Sequence, residues 1–135
     1  MVNGWNWWEV LADLKRKYYV DFTTKGRKSG EDRRLEIKFH IFDDKVCIAG
    51  FRGKKDWYAN LVGDANFTLH LRSEEPADIE PVEADVPVQA RLITDDAERR
   101  KLFPLVIESY ASDELTMEHI DEYIETGHII EVQAR

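Results

Sequence analysis

The chain has little cysteine, few prolines and no long apolar run, and each shortage excludes a class of protein. Among 135 residues there are one cysteine and four prolines. The one thiol, Cys47, cannot build a disulfide framework, and its place between Val46 and Ile48 predicts a buried small side chain. No apolar stretch approaches the length that crosses a bilayer. The N-terminal residues lack a basic segment followed by an apolar one, so we expect no secretory signal and a cytoplasmic protein.

Nucleophile and metal motifs are missing as well. The serines at 29, 73, 109 and 112 lie outside any G-x-S-x-G pattern. The four histidines show neither H-x₃-H nor H-E-x-x-H spacing, so we expect no metal site. His40 and His70 lie in alternating segments and are predicted to be surface or hydrogen-bonded structural residues. These residues therefore indicate neither a nucleophilic mechanism nor a metal site.

Basic residues are outnumbered by acidic ones overall but concentrated in one part of the chain. The net charge is −8, from 19 Lys and Arg against 27 Asp and Glu. Residues 1–72 carry 14 basic against 10 acidic side chains, whereas residues 73–135 carry 5 against 17. The acidic surface argues against nucleic-acid binding, and a local basic patch in such a protein indicates a small anionic ligand. Acidic helices late in the sequence would produce the same asymmetry.

The most informative motif is the segment Thr23-Thr24-Lys25-Gly26-Arg27-Lys28-Ser29-Gly30. It lies between two predicted strands and therefore forms the tip of a hairpin. Gly26 and Gly30 allow turn conformations in which backbone N–H groups point at a ligand. Arg27 can contact two phosphate oxygens at once, Lys28 adds a point charge and Ser29 adds a short donor. The segment predicts an anion-binding loop, although a solvated hairpin tip has a similar composition.

Periodicity predicts the other elements. Alternating polarity predicts strands over 18–24, 33–42, 45–51, 67–71, 82–84, 88–94 and 128–132. Apolar residues at helical spacing predict helices over 6–18, 56–62, 95–110 and 113–125. Four local signals mark helix ends: Asp56 as an N-cap, Asp95 with Glu98 as a capping box, Pro104 as a kink or break, and Gly127 as a C-cap.

These elements predict one α+β domain over residues 1–135. Consecutive hairpins with terminal helices indicate a mainly antiparallel sheet. About six strands of this length would close into a small barrel, which removes exposed edges. We expect an N-terminal helix and C-terminal helices around that barrel.

The order of these motifs resembles the deazaflavin-dependent nitroreductase family over roughly residues 18–110. The similarity rests on Thr23 to Gly30, a following arginine at 33 or 34, Gly53, and Trp57-Tyr58-Ala59-Asn60-Leu61. The strand and helix from Ala90 to Val106 also resemble the family's later pattern. Two motifs at this spacing are more specific than either alone.

The resemblance implies a split β-barrel of the flavin-binding type and a reduced 8-hydroxy-5-deazaflavin coenzyme, called F420. The coenzyme carries a phosphate and an acidic glutamate tail, so the basic loop acquires a natural ligand. The implied reaction is hydride transfer to a small electrophilic acceptor such as a quinone, nitro compound or enone. The implied cofactor-binding residues are Arg27, Lys28, Ser29, Gly30, Arg52, Gly53, Lys54, Lys55, Trp57 and Asn60.

The chain also departs from the family's pattern. Phe51-Arg52-Gly53 stands where the family has Ser-Lys-Gly beside the ring, so only Gly53 matches in type. Tyr110 matches the first of the family's tyrosines near the substrate and is the candidate proton donor, with solvent as the alternative. Asp113 and Thr116 replace the next ones, which leaves the substrate range open.

Two other functions therefore remain open. One is a split barrel that binds flavin mononucleotide, and the other is a non-catalytic domain that binds a cofactor or an anion. Trp57 and Tyr58 would serve equally as core residues, and Asn60 would serve to tie a turn. The cluster of Trp5, Trp7 and Trp8 would either roof the cofactor pocket or pack against a second subunit, and we favour a packing role.

Overall fold

Six strands close into one antiparallel barrel, as predicted. The computed structural model describes residues 19–42, 45–51, 53, 55–73, 82–110 and 115–135. The strands are β1 (Tyr19–Lys25), β2 (Asp32–Phe42), β3 (Lys45–Gly50), β4 (Asn66–Ser73), β5 (Val82–Leu92) and β6 (His128–Ala134). Their order around the barrel is β1-β2-β3-β6-β5-β4, and the pairing of β1 with β4 closes it.

The β1–β2 hairpin carries the basic segment at its tip. Lys25 pairs with Asp32 beside the connecting loop, and Tyr19 pairs with Lys38 at the far end. Six residues separate the two ends of β1, which at about 3.3 Å per residue is a span of about 20 Å. Residues near Lys38 therefore lie about 20 Å along the hairpin from the loop.

Within the described residues, three α-helices pack on the barrel. Helix α1 (Asp56–Gly63) follows β3, α2 (Asp96–Tyr110) follows β5, and α3 (Ile120–Thr126) precedes β6 after a 3₁₀ turn at Met117–His119. None of the helices in the described ranges is long and apolar enough to span a membrane.

Strand alternation divides the apolar residues between two cores. Inward residues such as Val46 and Ile48 fill the barrel together with Trp57 and Leu61 of α1. Outward residues of β3, Cys47 and Ala49 among them, pack under α2 and α3 in a second core. Helix α1 therefore plugs the barrel, while α2 and α3 cover its outer side. The predicted burial of Cys47 is confirmed, since the residue is fully buried.

Several predicted boundaries were wrong. The two segments predicted over 82–84 and 88–94 are one strand, β5, and Pro87 lies inside it. β4 pairs with Pro87, whereas β6 pairs only with residues 88–92 of β5. At Pro87, β5 is therefore an edge strand, and an edge strand tolerates a residue that has no N–H. The helix predicted from 113 is not helical at 115–116, and the helical residues begin at 117.

The predicted helix signals had mixed outcomes. Asp56 is the first residue of α1 and not its N-cap, which is Lys55. The Asp95 carboxylate does cap α2 by accepting from the N–H of Glu98 at 3.0 Å, but the Glu98 carboxylate binds Arg91 instead of completing the box. Helix α2 continues through Pro104 without a break. Gly127 is the C-cap of α3, as predicted.

Some predictions lie outside the described residues. These are the helix over 6–18 with Trp5, Trp7 and Trp8, the hairpin tip at Asp43-Asp44, and the residues Arg52, Lys54 and Asp113.

Candidate cofactor site

The loop between β1 and β2 is closed by its own backbone. Gly26 N–H donates to the Glu31 carbonyl at 2.7 Å, and Gly30 N–H donates to the Gly26 carbonyl at 2.8 Å. The Ser29 hydroxyl accepts from the Glu31 N–H at 3.1 Å. Gly30 has φ +71°, a conformation that residues with a side chain rarely adopt. The loop is therefore a defined turn, and its conformation depends on a glycine at position 30.

Gly26 is required for a different reason, which is space. A Cβ at this position would lie 2.7 Å from Ser29 Oγ and 3.2 Å from the Glu31 carbonyl oxygen. Both atoms belong to the turn itself, so a larger residue would push the loop open.

Asn60 of α1 ties this loop to the barrel. Its Oδ1 accepts from the backbone N–H of Arg27 at 3.1 Å and from the Arg27 guanidinium at 3.3 Å. Its Nδ2 donates to the Thr24 hydroxyl at 3.1 Å. Asn60 and Thr24 are both buried. Because a buried amide with satisfied partners has one stable orientation, α1 determines where the basic loop lies.

Arg27 and Lys28 lie on the solvent side of this arrangement. The Arg27 guanidinium lies 3.7 Å from the Asp56 carboxylate. The Arg27 side chain is 38% exposed. Lys28 is exposed. Both cations are thus presented to solvent from a loop whose backbone is held by Asn60.

A cavity of about 530 Å³ opens beside the loop. Its wall combines the basic loop, the start of β2 and the first turn of α1. It is lined by Thr24, Gly26, Arg27, Lys28, Ser29, Arg33, Arg34, Leu35, Asp56, Trp57 and Asn60. The lining residues include four with cationic side chains and one with a carboxylate. Because opposite charge stabilises an anion in a partly enclosed space, this cavity suits an anionic ligand.

The two arginines of β2 were not among the predicted site residues, although they line the cavity. Thr24 pairs with Arg33 and Thr23 pairs with Arg34. A hairpin register counted outward from the glycine-bounded loop would have found them. Arg34 also binds Asp21 at 2.9 Å, and Arg33 lies 3.7 Å from Glu31.

A second cavity of about 440 Å³ also borders the loop. It shares Arg27, Lys28, Ser29 and Asn60 with the first cavity and adds Gly30. Of the ten predicted cofactor-binding residues, the structure therefore gathers six around the basic loop: Arg27, Lys28, Ser29, Gly30, Trp57 and Asn60.

Trp57 serves both as cavity wall and as core. Its side chain is 7% exposed and meets Phe22 edge to face, with ring centroids 6.0 Å apart. The two readings of this residue, core plug and ligand contact, are compatible because α1 closes the barrel at the same place where it borders the cavity.

Gly53 and Lys55 are described residues of the connection from β3 to α1. Gly53 has φ +96°, and Lys55 is the N-cap residue of α1. Neither residue lines the cavities at the basic loop.

Tyr110 ends α2 on the outer side of the barrel. Its ring lies 5.9 Å from that of Phe51 and 5.1 Å from that of His40, and Lys38 Nζ lies 4.4 Å above it. Burial raises the pKa of its hydroxyl, with a smaller contribution from Tyr19. Tyr110 therefore lies near the Lys38 end of the hairpin, about 20 Å along β1 from the basic loop.

His40 and His70 have hydrogen-bonded structural positions, as predicted. His40 is 1% exposed, and its Nδ1 lies 2.5 Å from Ser109 Oγ. Burial and the nearby Lys38 lower its pKa to about 3. His70 bridges two strands, with Nε2 2.6 Å from Thr23 Oγ1 and Nδ1 2.8 Å from Asp85 Oδ1.

Comparison with known proteins places the chain in a family. Residues 9–124 match the model of the F420H(2)-dependent quinone reductase family, so the chain belongs to that family. It is a deazaflavin-dependent oxidoreductase whose coenzyme is F420. No curated protein matches the sequence.

Solved structures share the barrel fold at low sequence identity. The conserved hypothetical protein Rv2991 from Mycobacterium tuberculosis is 16% identical with a TM-score of 0.67, over 88% of this chain and 74% of its own. An F420-H2 dependent reductase, FDR-A, is 18% identical with a TM-score of 0.55, over 86% and 94%. HutZ, the heme storage protein from Vibrio cholerae, is 14% identical with a TM-score of 0.61, over 94% and 86%. These similarities show the split-barrel fold.

Proposed function

We propose that the basic loop holds the phosphate of F420 and that the chain transfers hydride from the reduced coenzyme to a small quinone-like acceptor. The observation that carries this proposal is the 530 Å³ cavity, whose lining residues include Arg27, Lys28 and Arg33 in a protein of net charge −8. An acidic protein that gathers cations around one cavity favours an anionic ligand there.

The residues present fit the coenzyme's anionic groups. Arg27 and Lys28 supply charge-assisted donors for the phosphate. Arg33, which pairs with Thr24 at the start of β2, extends the positive wall and would face the acidic tail. The coenzyme, when bound, supplies the hydride, so the chain needs no nucleophile.

The roles of the β3–α1 connection follow from the family resemblance. Gly53 would let the backbone approach the ring, and Arg52, Lys54 and Lys55 would screen negative charge on the coenzyme. Trp57 would border the bound coenzyme from the barrel end. Asn60 acts by holding the loop, because its amide is committed to Arg27 and Thr24.

Tyr110 is the proposed proton donor to the reduced acceptor. Burial keeps its hydroxyl protonated at neutral pH, as a donor requires. Solvent is the alternative source of this proton.

Two further expectations concern the cellular compartment and the oligomeric state. The buried thiol Cys47 suits a reducing compartment such as the cytoplasm. Small barrels leave apolar surface that a second copy can cover, so we expect a homodimer, which light scattering on the purified chain would detect.

The experiment that tests the proposal is oxidation of reduced F420 by the purified chain with a soluble quinone, a nitroaromatic compound and an enone offered separately. We expect saturable turnover with the quinone. Turnover with none of the acceptors would contradict the proposed reaction, and turnover of reduced flavin mononucleotide in place of F420 would favour the flavin alternative.

A further inference from the structure

His128 contacts α1 from the first position of β6. Its imidazole stacks on the ring of Tyr58, with centroids 4.3 Å apart and planes inclined by 23°. In the β3–β6 pairing, His128 lies opposite Gly50, the last residue of β3. A side chain of the barrel wall, that of His128, thus contacts the helix that closes the barrel.

The same imidazole holds the connection that precedes α1. The backbone of Gly53, whose φ of +96° is rare for residues with a side chain, lies near enough to this imidazole to raise its pKa by hydrogen bonding. His128 therefore contacts the two parts of the chain, the connection and the helix, whose junction is the N-cap residue Lys55.

The position of α1 determines the geometry of the cavity. Trp57, next to Tyr58, borders the cavity, and Asn60 on the same helix anchors the basic loop. Trp57 also fits closely over Gly50, since a Cβ there would lie 3.2 Å from its ring. A shift of α1 would move the wall and the loop anchor together.

We propose that His128 is a positioning residue for the coenzyme site, acting through Tyr58 and Gly53 to fix α1 and the β3–α1 connection. This inference rests on the proposed function, because the site it positions is the coenzyme site. Burial lowers the pKa of His128, and Arg99 and Lys55 lower it further, so the stacking ring is neutral at pH 7.

The test compares His128→Leu with His128→Phe, which keeps an aromatic ring against Tyr58. The matched control is His119→Leu, because His119 also meets a tyrosine ring, that of Tyr123, at 6.3 Å. Coenzyme affinity is measured by F420 fluorescence. We expect His128→Leu to weaken binding about three- to tenfold, as the loss of one aromatic contact and one hydrogen bond would. We expect His128→Phe to recover most of that loss and the control to match the wild type.

Hydrogen exchange without coenzyme provides a second readout. In His128→Leu we expect faster exchange confined to peptides covering residues 51–60, with the rest of the barrel unchanged. Wild-type affinity and unchanged exchange over 51–60 in this variant would overturn the inference, as would uniformly faster exchange across the barrel. Failure of the wild-type chain to bind F420 would instead overturn the proposed function, and the exchange result would still decide whether His128 positions α1.

Discussion

Asn60 and Arg27 are joined twice, because one amide oxygen accepts both the backbone N–H of Arg27 at 3.1 Å and its guanidinium at 3.3 Å. This relationship connects a buried helix to an exposed basic loop. The loop therefore presents its cations in a fixed place and does not have to become ordered when a ligand arrives. Preorganisation of this kind increases affinity by removing the entropy cost of ordering the loop.

Asn60→Ala should weaken both the fold and the coenzyme site. The substitution leaves the Arg27 N–H and the buried Thr24 hydroxyl without their partner, which costs about 1–3 kcal/mol of unfolding free energy. We expect a roughly tenfold loss of F420 affinity as the loop loosens. Urea denaturation and fluorescence titration measure the two effects.

The matched control for this variant is Asn66→Ala, at an exposed asparagine where β4 begins. We expect it to keep both stability and affinity. If Asn60→Ala lost stability but kept wild-type affinity, Asn60 would be a core residue without influence on the loop.

Replacing both Arg27 and Lys28 by alanine should weaken F420 binding at least tenfold. Each residue offers a charge-assisted contact worth about 1.5–3 kcal/mol, so the two together support a larger loss. The loss should shrink at high salt, because salt also weakens the wild-type interaction.

The chain offers a second Arg-Lys pair as the control, Arg100-Lys101 on α2. Its replacement by alanine removes the same charge from a place that lines neither cavity at the basic loop. Equal losses in the two double variants would mean that only net charge matters and that the anion site lies elsewhere.

His40 should make the fold sensitive to acid. Its pKa falls from 6.5 to about 3 on folding, so below pH 6.5 the unfolded chain binds a proton that the folded chain does not. The free energy of unfolding should therefore decrease as pH falls from 6.5 towards 3, by about 2 kcal/mol at pH 5 from this group alone.

The measurement is urea denaturation at pH 7 and pH 5 for the wild type and His40→Gln. Carboxylates contribute equally to both proteins, so the difference between the two pH dependences isolates His40. We expect a shallower dependence in the variant, and identical dependences would assign the acid sensitivity to other groups.

Tyr110→Phe should lower turnover without changing coenzyme binding. The substitution keeps the ring contacts with Phe51 and His40 and removes only the hydroxyl. If that hydroxyl donates the proton, we expect kcat to fall by about a hundredfold while the F420 Kd stays within about twofold. Steady-state kinetics and fluorescence titration separate these quantities, and an unchanged kcat would mean that the proton comes from solvent.

Most of the fold could be predicted because strand alternation is a local property. The barrel followed from about six alternating segments, whereas β5 was divided in two because Pro87 looks like an interruption in sequence. Only the one-sided pairing of β5 at that point explains how a strand continues through proline. Glu98 likewise binds Arg91 and does not complete the capping box of its own helix, because Arg91 is brought near by the tertiary fold.

The site was predictable to a similar degree. The glycine-bounded loop and its cations could be recognised from residue types and spacing. The hydrogen bond between Asn60 and Arg27 joins residues 33 positions apart in sequence, and the contact between Tyr58 and His128 joins residues farther apart. Neither contact therefore appears in a local sequence pattern. Such contacts depend on how α1 closes the barrel, which periodicity does not determine.

The most direct test of the account is a fluorescence titration of the purified chain with F420 and, separately, with flavin mononucleotide. Each is repeated with the variant in which Arg27 and Lys28 are alanine. The account predicts saturable binding of F420, weaker binding of flavin mononucleotide, and at least a tenfold loss of F420 affinity in the variant. Equal F420 affinity in wild type and variant, or binding of flavin mononucleotide alone, would contradict it.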